Sequence, residues 1–320
     1  MRSTRSLTAA ILTCGLLGLT SPAMAQTPQP PPAAAPVPPT LELREAGLVA
    51  DYFAADPATA SPGAIIVLGG SEGGLGGSRN LARRLAAAGF DAIAVSYFGE
   101  VGQSSRLDQI PIEPVARARE WLEARPGPGE AIAVVGVSKG GELALLTASR
   151  DPAIKAVVAA VPSHIVWQGI DMQGGMTGSS WTAGSVPLAY VPYDLSNGFT
   201  SVHALYAGSL ASAPAEAEIP VERIAGPILL VSGQADTLWP STEMANRVEQ
   251  RLRANGFPHA VTHLAYADAG HAVFGAPVRA DTPGLERVLS VGGTIDGLVA
   301  ARADGWPRVL AFLRDALAAD

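Results

Sequence analysis

A serine set between glycines, Gly136-Val137-Ser138-Lys139-Gly140, is an arrangement from which covalent acyl chemistry can start. The apolar run Ala131-Ile132-Ala133-Val134-Val135 precedes it, and Gly141-Glu142-Leu143-Ala144-Leu145-Leu146 follows with a helical pattern. Strand, G-x-S-x-G, then helix is the context of a nucleophile elbow. The serine sits on a tight, strained turn whose flanking positions admit little beyond hydrogen. Its hydroxyl lies at a helix N-terminus, where the backbone N–H of Lys139 faces any oxyanion formed nearby. With 35 glycines in the chain a bare G-x-S-x-G also arises by chance, so the flanking elements carry the assignment.

A serine hydroxyl needs a base to take its proton and an acid to orient that base. In an α/β-hydrolase both follow the serine, acid first. Asp236 lies in Gly233-Gln234-Ala235-Asp236, just past the apolar run Ile228–Ser232, and is the candidate acid. Asp268 is the rival, but three residues before the candidate base it fits better as a residue shaping that loop. Of the five histidines, His164 and His203 precede Asp236, and His259 and His263 lie in or beside a strand. His271, in Ala269-Gly270-His271-Ala272, sits in a loop beyond that strand and is the candidate base.

The glycine-rich loop Gly69 to Gly77 follows an early strand and precedes a helix. It lacks the lysine of a phosphate-binding P-loop and suits the other half of an oxyanion hole, with the N–H of Ser71 or its neighbour Glu72 as donor beside Lys139. Glu72, His164, Trp167 and Trp239 are the candidate substrate contacts. No metal site is expected. His259 and His263 are four apart, which in a strand is roughly 13 Å, too far for one ion. No cofactor is expected either.

The elements that must position these groups alternate strand and helix. Strands are expected over Leu48–Ala54, Ala64–Leu68, Asp91–Val95, Ala131–Val135, Lys155–Ala160, Ile228–Ser232 and Val261–Tyr266. Helices are expected through Leu81–Ala86 and over Pro111–Leu122, Gly140–Ser149, Ser241–Ala254 and Trp306–Ala318. This order predicts an α/β-hydrolase fold, a mostly parallel sheet with helices on both faces and reactive loops at the carboxyl ends of its strands. Ser163 to Glu218 breaks the rhythm. It is rich in glycine, serine and aromatics (Trp167, Trp181, Tyr190, Tyr193, Phe199, Tyr206) and reads as a cap-like insertion.

Residues 1–25 read as a secretory signal peptide: Arg2 and Arg5, an apolar run from Leu7 to Thr20, and Ala23-Met24-Ala25 as the cleavage site. The expected address is the periplasm or the outside of the cell. Residues 26–40 read as a Pro/Ala-rich disordered linker and 41–320 as the hydrolase domain. The single cysteine, Cys14, falls in the signal, so a mature chain would carry no disulfide and no thiol nucleophile. The net charge of −7 becomes −9 once Arg2 and Arg5 leave, and no basic patch suggests nucleic acid. The expected partner is a small acyl ester or thioester.

Seven stretches carry a resemblance: LGGSEGG (68–74), IPIE (110–113), GVSKGGELALL (136–146), IKAVVAAVPSHIVWQG (154–169), GPILLVSGQADTLWPS (226–241), HLAYADAGH (263–271) and WPRVLAFL (306–313). In this order the chain resembles the C-terminal catalytic domain shared by acyl-CoA thioesterases and bile acid-CoA:amino acid N-acyltransferases, which is related to dienelactone hydrolases. The resemblance implies an α/β-hydrolase and places the family's triad on Ser138, Asp236 and His271. In the acyltransferase members the nucleophile is cysteine, so Ser138 points toward hydrolysis with water as acceptor. The eukaryotic members carry an N-terminal β-sandwich domain, for which the residues between signal and first strand leave no room. Coenzyme A thioesters are intracellular, so the export signal sets that part of the family's substrate apart. The sequence thus predicts an exported serine hydrolase of an ester or acyl thioester. Transfer of the acyl group to an amine or alcohol is the alternative, and the complete candidate triad argues against a mere binder.

Overall fold

The computed structural model of the chain describes residues 37–125, 131–196 and 198–318. The expected signal peptide, and residues 26–36 of the expected linker, lie outside the described residues. Eleven strands and six α-helices follow, in chain order: β1 (Leu41–Glu45), β2 (Leu48–Phe53), β3 (Ala64–Leu68), α1 (Gly76–Ala87), β4 (Asp91–Ser96), β5 (Ile110–Pro111), α2 (Glu113–Glu123), β6 (Ile132–Val137), α3 (Lys139–Ala148), β7 (Ile154–Ala160), β8 (Trp181–Ala183), β9 (Val186–Pro187), α4 (Val202–Leu210), β10 (Ile228–Gly233), α5 (Ser241–Ala254), β11 (Val261–Tyr266) and α6 (Ile295–Ala318).

Eight of the strands form one sheet in the order β1-β2-β4-β3-β6-β7-β10-β11. All pairings from β4 to β11 are parallel, and β2 runs antiparallel to both neighbours. The fold is that of an α/β-hydrolase, as the alternation of elements predicts. Strand β3 shows why both faces must be covered. Ile66 and Leu68 belong to the core shared with α2, α3 and α5, whereas Ile65 and Val67 belong to the core shared with α1 and α6. Successive side chains of a strand point to opposite faces, so a strand packed on both sides reads as an unbroken apolar run.

Two of the expected helices depart from expectation. The closing helix begins at Ile295, not Trp306, and carries Pro307 inside it. Pro307 next to Trp306 imitates a helix start, because proline is well tolerated in a first turn and costs a hydrogen bond in an interior. The helix expected from Pro111 starts at Glu113, because Ile110–Pro111 pairs with Trp181–Thr182 of the insertion. That pairing and β9 make a small three-stranded sheet, β5-β8-β9, and α4 adds a helix to the insertion. No helix among the described residues is long and apolar enough to cross a membrane.

Candidate active site

Ser138 joins β6 to α3 with φ 58° and ψ −121°, a backbone that L-residues rarely adopt. The turn closes because its neighbours lack side chains. A Cβ on Gly136 would overlap the carbonyl of Gly140, and one on Gly140 would overlap the carbonyls of Gly69 and Leu68. The Ser138 N–H donates to the Ala160 carbonyl at 2.9 Å, tying the elbow to the end of β7. The side chain is buried, and its Oγ has no hydrogen-bond partner among the described residues.

Asp236 lies past the end of β10 and His271 past the end of β11, in the loops expected to carry them. His271 Nδ1 is 2.8 Å from Asp236 Oδ2, which also accepts from Ser241 Oγ at 2.6 Å. The other carboxylate oxygen accepts the N–H groups of Leu238 (2.9 Å) and Trp239 (3.3 Å). A carboxylate so fully hydrogen-bonded is held still, as an orienter of imidazole must be. The segment at Gly292-Gly293 clamps both loops, bridging Asp236 from one side and Ala269 from the other. Both glycines have positive φ and no room for a Cβ. Asp268, the rival acid, is exposed and uses its main-chain carbonyl to accept from Thr294 at 2.9 Å.

Two backbone N–H groups, at the elbow and in the Gly69–Gly77 loop, have no acceptor among the described residues. The N–H of Lys139, the first residue of α3, is one of the donors a helix start leaves unpaired. The N–H of Ser71 has no acceptor among the described residues. Its direction is governed by a residue that sequence reasoning missed. Tyr97 Oη lies 2.7 Å from the Gly69 carbonyl and 2.9 Å from that of Gly70. The Gly70 carbonyl and Ser71 N–H belong to one trans peptide and point opposite ways, so fixing the carbonyl on Tyr97 aims the donor away from it. Burial pushes the Tyr97 phenol well up, which keeps it a donor at neutral pH. Glu72 folds back on the same loop, its Oε1 accepting the Gly70 N–H at 3.1 Å.

The Lys139 side chain turns inward. Its Nζ is 2.6 Å from Glu142 Oε2 and 2.9 Å from Ser180 Oγ, and both members of the pair are fully buried. Glu142 Oε1 accepts the Trp181 indole N–H at 2.7 Å and the Trp167 main-chain N–H at 3.2 Å. Burial pushes the Glu142 carboxyl up and the Lys139 ammonium down, while each partner's charge opposes the change in the other. One buried ion pair therefore fastens the first turn of α3 to the insertion. Lys139 and Glu142 three apart on a helix were a visible signal, yet the pair reads equally well as a solvated one.

Trp167 and Trp239 belong to an aromatic train that ends on the histidine. Trp167 meets Tyr206 at 4.8 Å between ring centres, Tyr206 meets Trp239 at 5.3 Å, and Trp239 meets His271 at 5.9 Å, each edge to face. The indole nitrogens of Trp167 and Trp239 are buried without a partner among the described residues. His164 lies apart from this train. Its carbonyl accepts from Ile219, and burial, with the charges of Arg247 and Arg251, lowers its pKa to about 4, so it is neutral at pH 7. His263, one half of the chelating pair weighed above, is engaged with Ser232 and Glu249, and His259 packs edge-on against Phe257.

Residues 110–319, well over half of the chain, match the family model described as BAAT / Acyl-CoA thioester hydrolase C terminal. The chain belongs to this family. The match covers the elbow and the Asp236 and His271 loops; the loop of Ser71 lies ahead of it. Among the relatives, mouse acyl-coenzyme A amino acid N-acyltransferase 1 is 30% identical over 78% of this chain and 59% of its own length. Human mitochondrial acyl-coenzyme A thioesterase 2 is 28% identical over 65% of this chain and 42% of its own. The chain thus spans about half the length of these relatives. Among solved structures, a Klebsiella pneumoniae protein described as a dienelactone hydrolase superposes with a TM-score of 0.53 at 18% identity, over 82% of this chain and 91% of that one. That likeness is one of fold. Membership in a family of thioesterases and acyltransferases supports ester or thioester chemistry.

Proposed function

We propose that this chain is a serine hydrolase that cleaves a carboxylic ester or acyl thioester through an acyl-enzyme. The observation that carries the reading is the 2.8 Å contact of His271 with Asp236, in the loops after β11 and β10 of the sheet whose β6 runs into a serine held at φ 58°. Ser138 Oγ attacks the carbonyl carbon while the free nitrogen of His271 takes its proton. The oxygen, now negative, is held by the N–H groups of Lys139 and Ser71, each such donor contributing about 3–4 kcal/mol in related sites. Collapse breaks the bond to the leaving alkoxide or thiolate, which receives the proton from His271. Water then attacks the acyl-serine by the same route, and Asp236 balances the imidazolium throughout. The signal read in residues 1–25 supports doing this outside the cytoplasm.

A chain-length series of p-nitrophenyl esters and matched acyl thioesters, with the full chain and Ser138→Ala, tests the reading. Turnover by the first and none by the second is expected, with covalent labelling of Ser138 by a fluorophosphonate. Equal background from both proteins and no labelling would overturn it. Acyl transfer is the second reading, favoured by the 30% identical acyltransferase. It predicts an amide product when an amino acid such as glycine is added, where hydrolysis predicts only free acid.

A further inference from the structure

Between α1 and the segment after His271 lies a cavity of about 270 Å³. Gly69, Val137 and Gly77 form the end nearest the chemistry. Val137 precedes Ser138, and a Cβ placed on Gly70, the neighbour of Gly69, would lie 3.3 Å from the Ser138 Cβ. Leu68, Leu81 and Phe274 supply apolar wall, and Arg84 and Arg302 supply guanidinium groups. Gly77 and Arg84 are separated by two turns of α1, which is about 10 Å of helix axis.

The charges are arranged along that length. Glu72, the acid on the lining, belongs to the near end, where a Cβ on Gly77 would overlap its Oε1. At the far end, Arg84 is exposed and has no ion pair or hydrogen bond among the described residues. Arg302 donates Nε and Nη2 to the Ala272 carbonyl at 3.1 and 2.7 Å, a neutral partner that leaves other donors of its fork uncommitted. Burial and then the Arg84 charge lower the Arg302 pKa; both cations line this one cavity, and neither has an ion pair among the described residues. A fork of this kind matches the oxygens of a carboxylate or phosphate.

We infer that the cavity takes an arm of the substrate that is apolar for about 10 Å from the reacting carbonyl and ends in an anion held by Arg84 and Arg302. This rests on Ser138 being the attacking group, since only then is a cavity beside it a substrate cavity. The anion is the ω-carboxylate of a dicarboxylic acyl group, which the two guanidiniums would hold together.

A substrate pair that differs only in its terminal group tests this. It is p-nitrophenyl nonanoate against the mono-p-nitrophenyl ester of azelaic acid, whose ω-carboxylate, with the chain extended, lies about as far from the ester carbonyl as two turns of α1 are long, about 10 Å. kcat/KM is expected to favour the charged member by about tenfold in the full chain. That ratio should fall in steps through Arg84→Gln and Arg84→Glu, and shrink with added salt. A ratio that neither substitution moves overturns the inference. Calorimetric titration of azelate into Ser138→Ala reads the same site without turnover. Binding weakened by Arg84→Glu, with no ester cleaved by the full chain, would retire the hydrolase and keep the anion site. Hydrolysis with Arg84-independent binding would do the reverse.

Discussion

Ser138, His271 and Asp236 have a counterpart elsewhere in the sheet, made of the same three kinds of side chain. Ser232 Oγ is 2.8 Å from His263 Nε2, and His263 Nδ1 is 3.1 Å from Glu249 Oε2, while Thr242 donates to Ser232 Oγ at 2.8 Å. By hydrogen bonds alone the second set is the more complete. Ser232, however, stands within β10, extended and fully buried, with its backbone committed to the strand ladder. No helix begins at it, and its hydroxyl is already acceptor to Thr242. Ser138 has the reverse endowment: an unpartnered Oγ, a left-handed backbone, and unpaired N–H groups at Lys139 and Ser71. A serine–histidine–acid relay can serve structure as readily as chemistry. The platform under the serine decides which.

The largest expected contrast follows. Ser138→Ala should lower kcat by about 10⁴-fold or more, as for other hydrolases that lose their nucleophile. Ser232→Ala should leave turnover in place. Loss of activity from Ser232→Ala in a folded protein would break the comparison at once.

The platform can then be loosened without touching the relay. Glu142→Gln keeps an acceptor for the Trp181 indole but leaves the buried Lys139 ammonium uncompensated. Breaking a buried pair from one side costs about 3–5 kcal/mol, measurable as a fall in the denaturation midpoint. Activity should decline along with it, because the same pair anchors the turn that presents the Lys139 N–H.

Acid should weaken the fold apart from either relay. The pKa of His164 is lowered from 6.5 to about 4. Between those values the unfolded chain binds more protons than the folded one, so stability present above pH 6.5 is lost as pH falls toward 4, and no further below it. The loss is at most about 3 kcal/mol. Denaturation of the protein and of His164→Gln at about pH 7.5 and 4.5 should give a smaller acid loss for the variant. Equal losses would assign the acid sensitivity to other groups.

Tyr97→Phe tests the donors that only the first serine possesses. It frees the Gly70 carbonyl, so the Ser71 N–H is no longer aimed. A drop of about tenfold in kcat with little change in KM is expected, since an oxyanion donor acts in the transition state. A tenfold rise in KM with kcat unchanged would mean that the phenol shapes the binding site instead.

What could be read from the chain divides along similar lines. The parallel strands were legible because burial on both faces leaves continuous apolar runs such as Ala64–Leu68. Strand β1 was not. Its sequence LELRE is exposed except at Leu43, and it is held by pairing with β2 rather than by a pattern of its own. Asp236 and His271 were legible as strand-end loop residues following a serine elbow. Tyr97 was not, because it reads as an apolar strand terminus until the Gly69 and Gly70 carbonyls are seen above it. The insertion was recognisable only as an interruption. Its order comes from contacts between residues far apart in the chain, Trp181 with Glu142 and Tyr206 with Trp239, which no local period announces.

The smallest expected effect returns to the second serine. Ser232→Ala removes one donor to His263 and one acceptor for Thr242, both partly or fully buried. A buried group left without its partner costs about 1–3 kcal/mol, and a net hydrogen bond about 1 kcal/mol, so stability should drop by roughly 1–2 kcal/mol. The β10 backbone keeps its ladder, and Asp236 keeps the place at the strand's end that orients His271. Denaturation should therefore shift while kcat/KM for any ester stays within about twofold. The double variant Ser232→Ala, Thr242→Val removes the hydroxyl that would otherwise be stranded, and should recover part of the loss. If the double variant loses as much as both single changes together, the hydroxyls do not act as a pair. The second relay would then be two independent contacts rather than a unit.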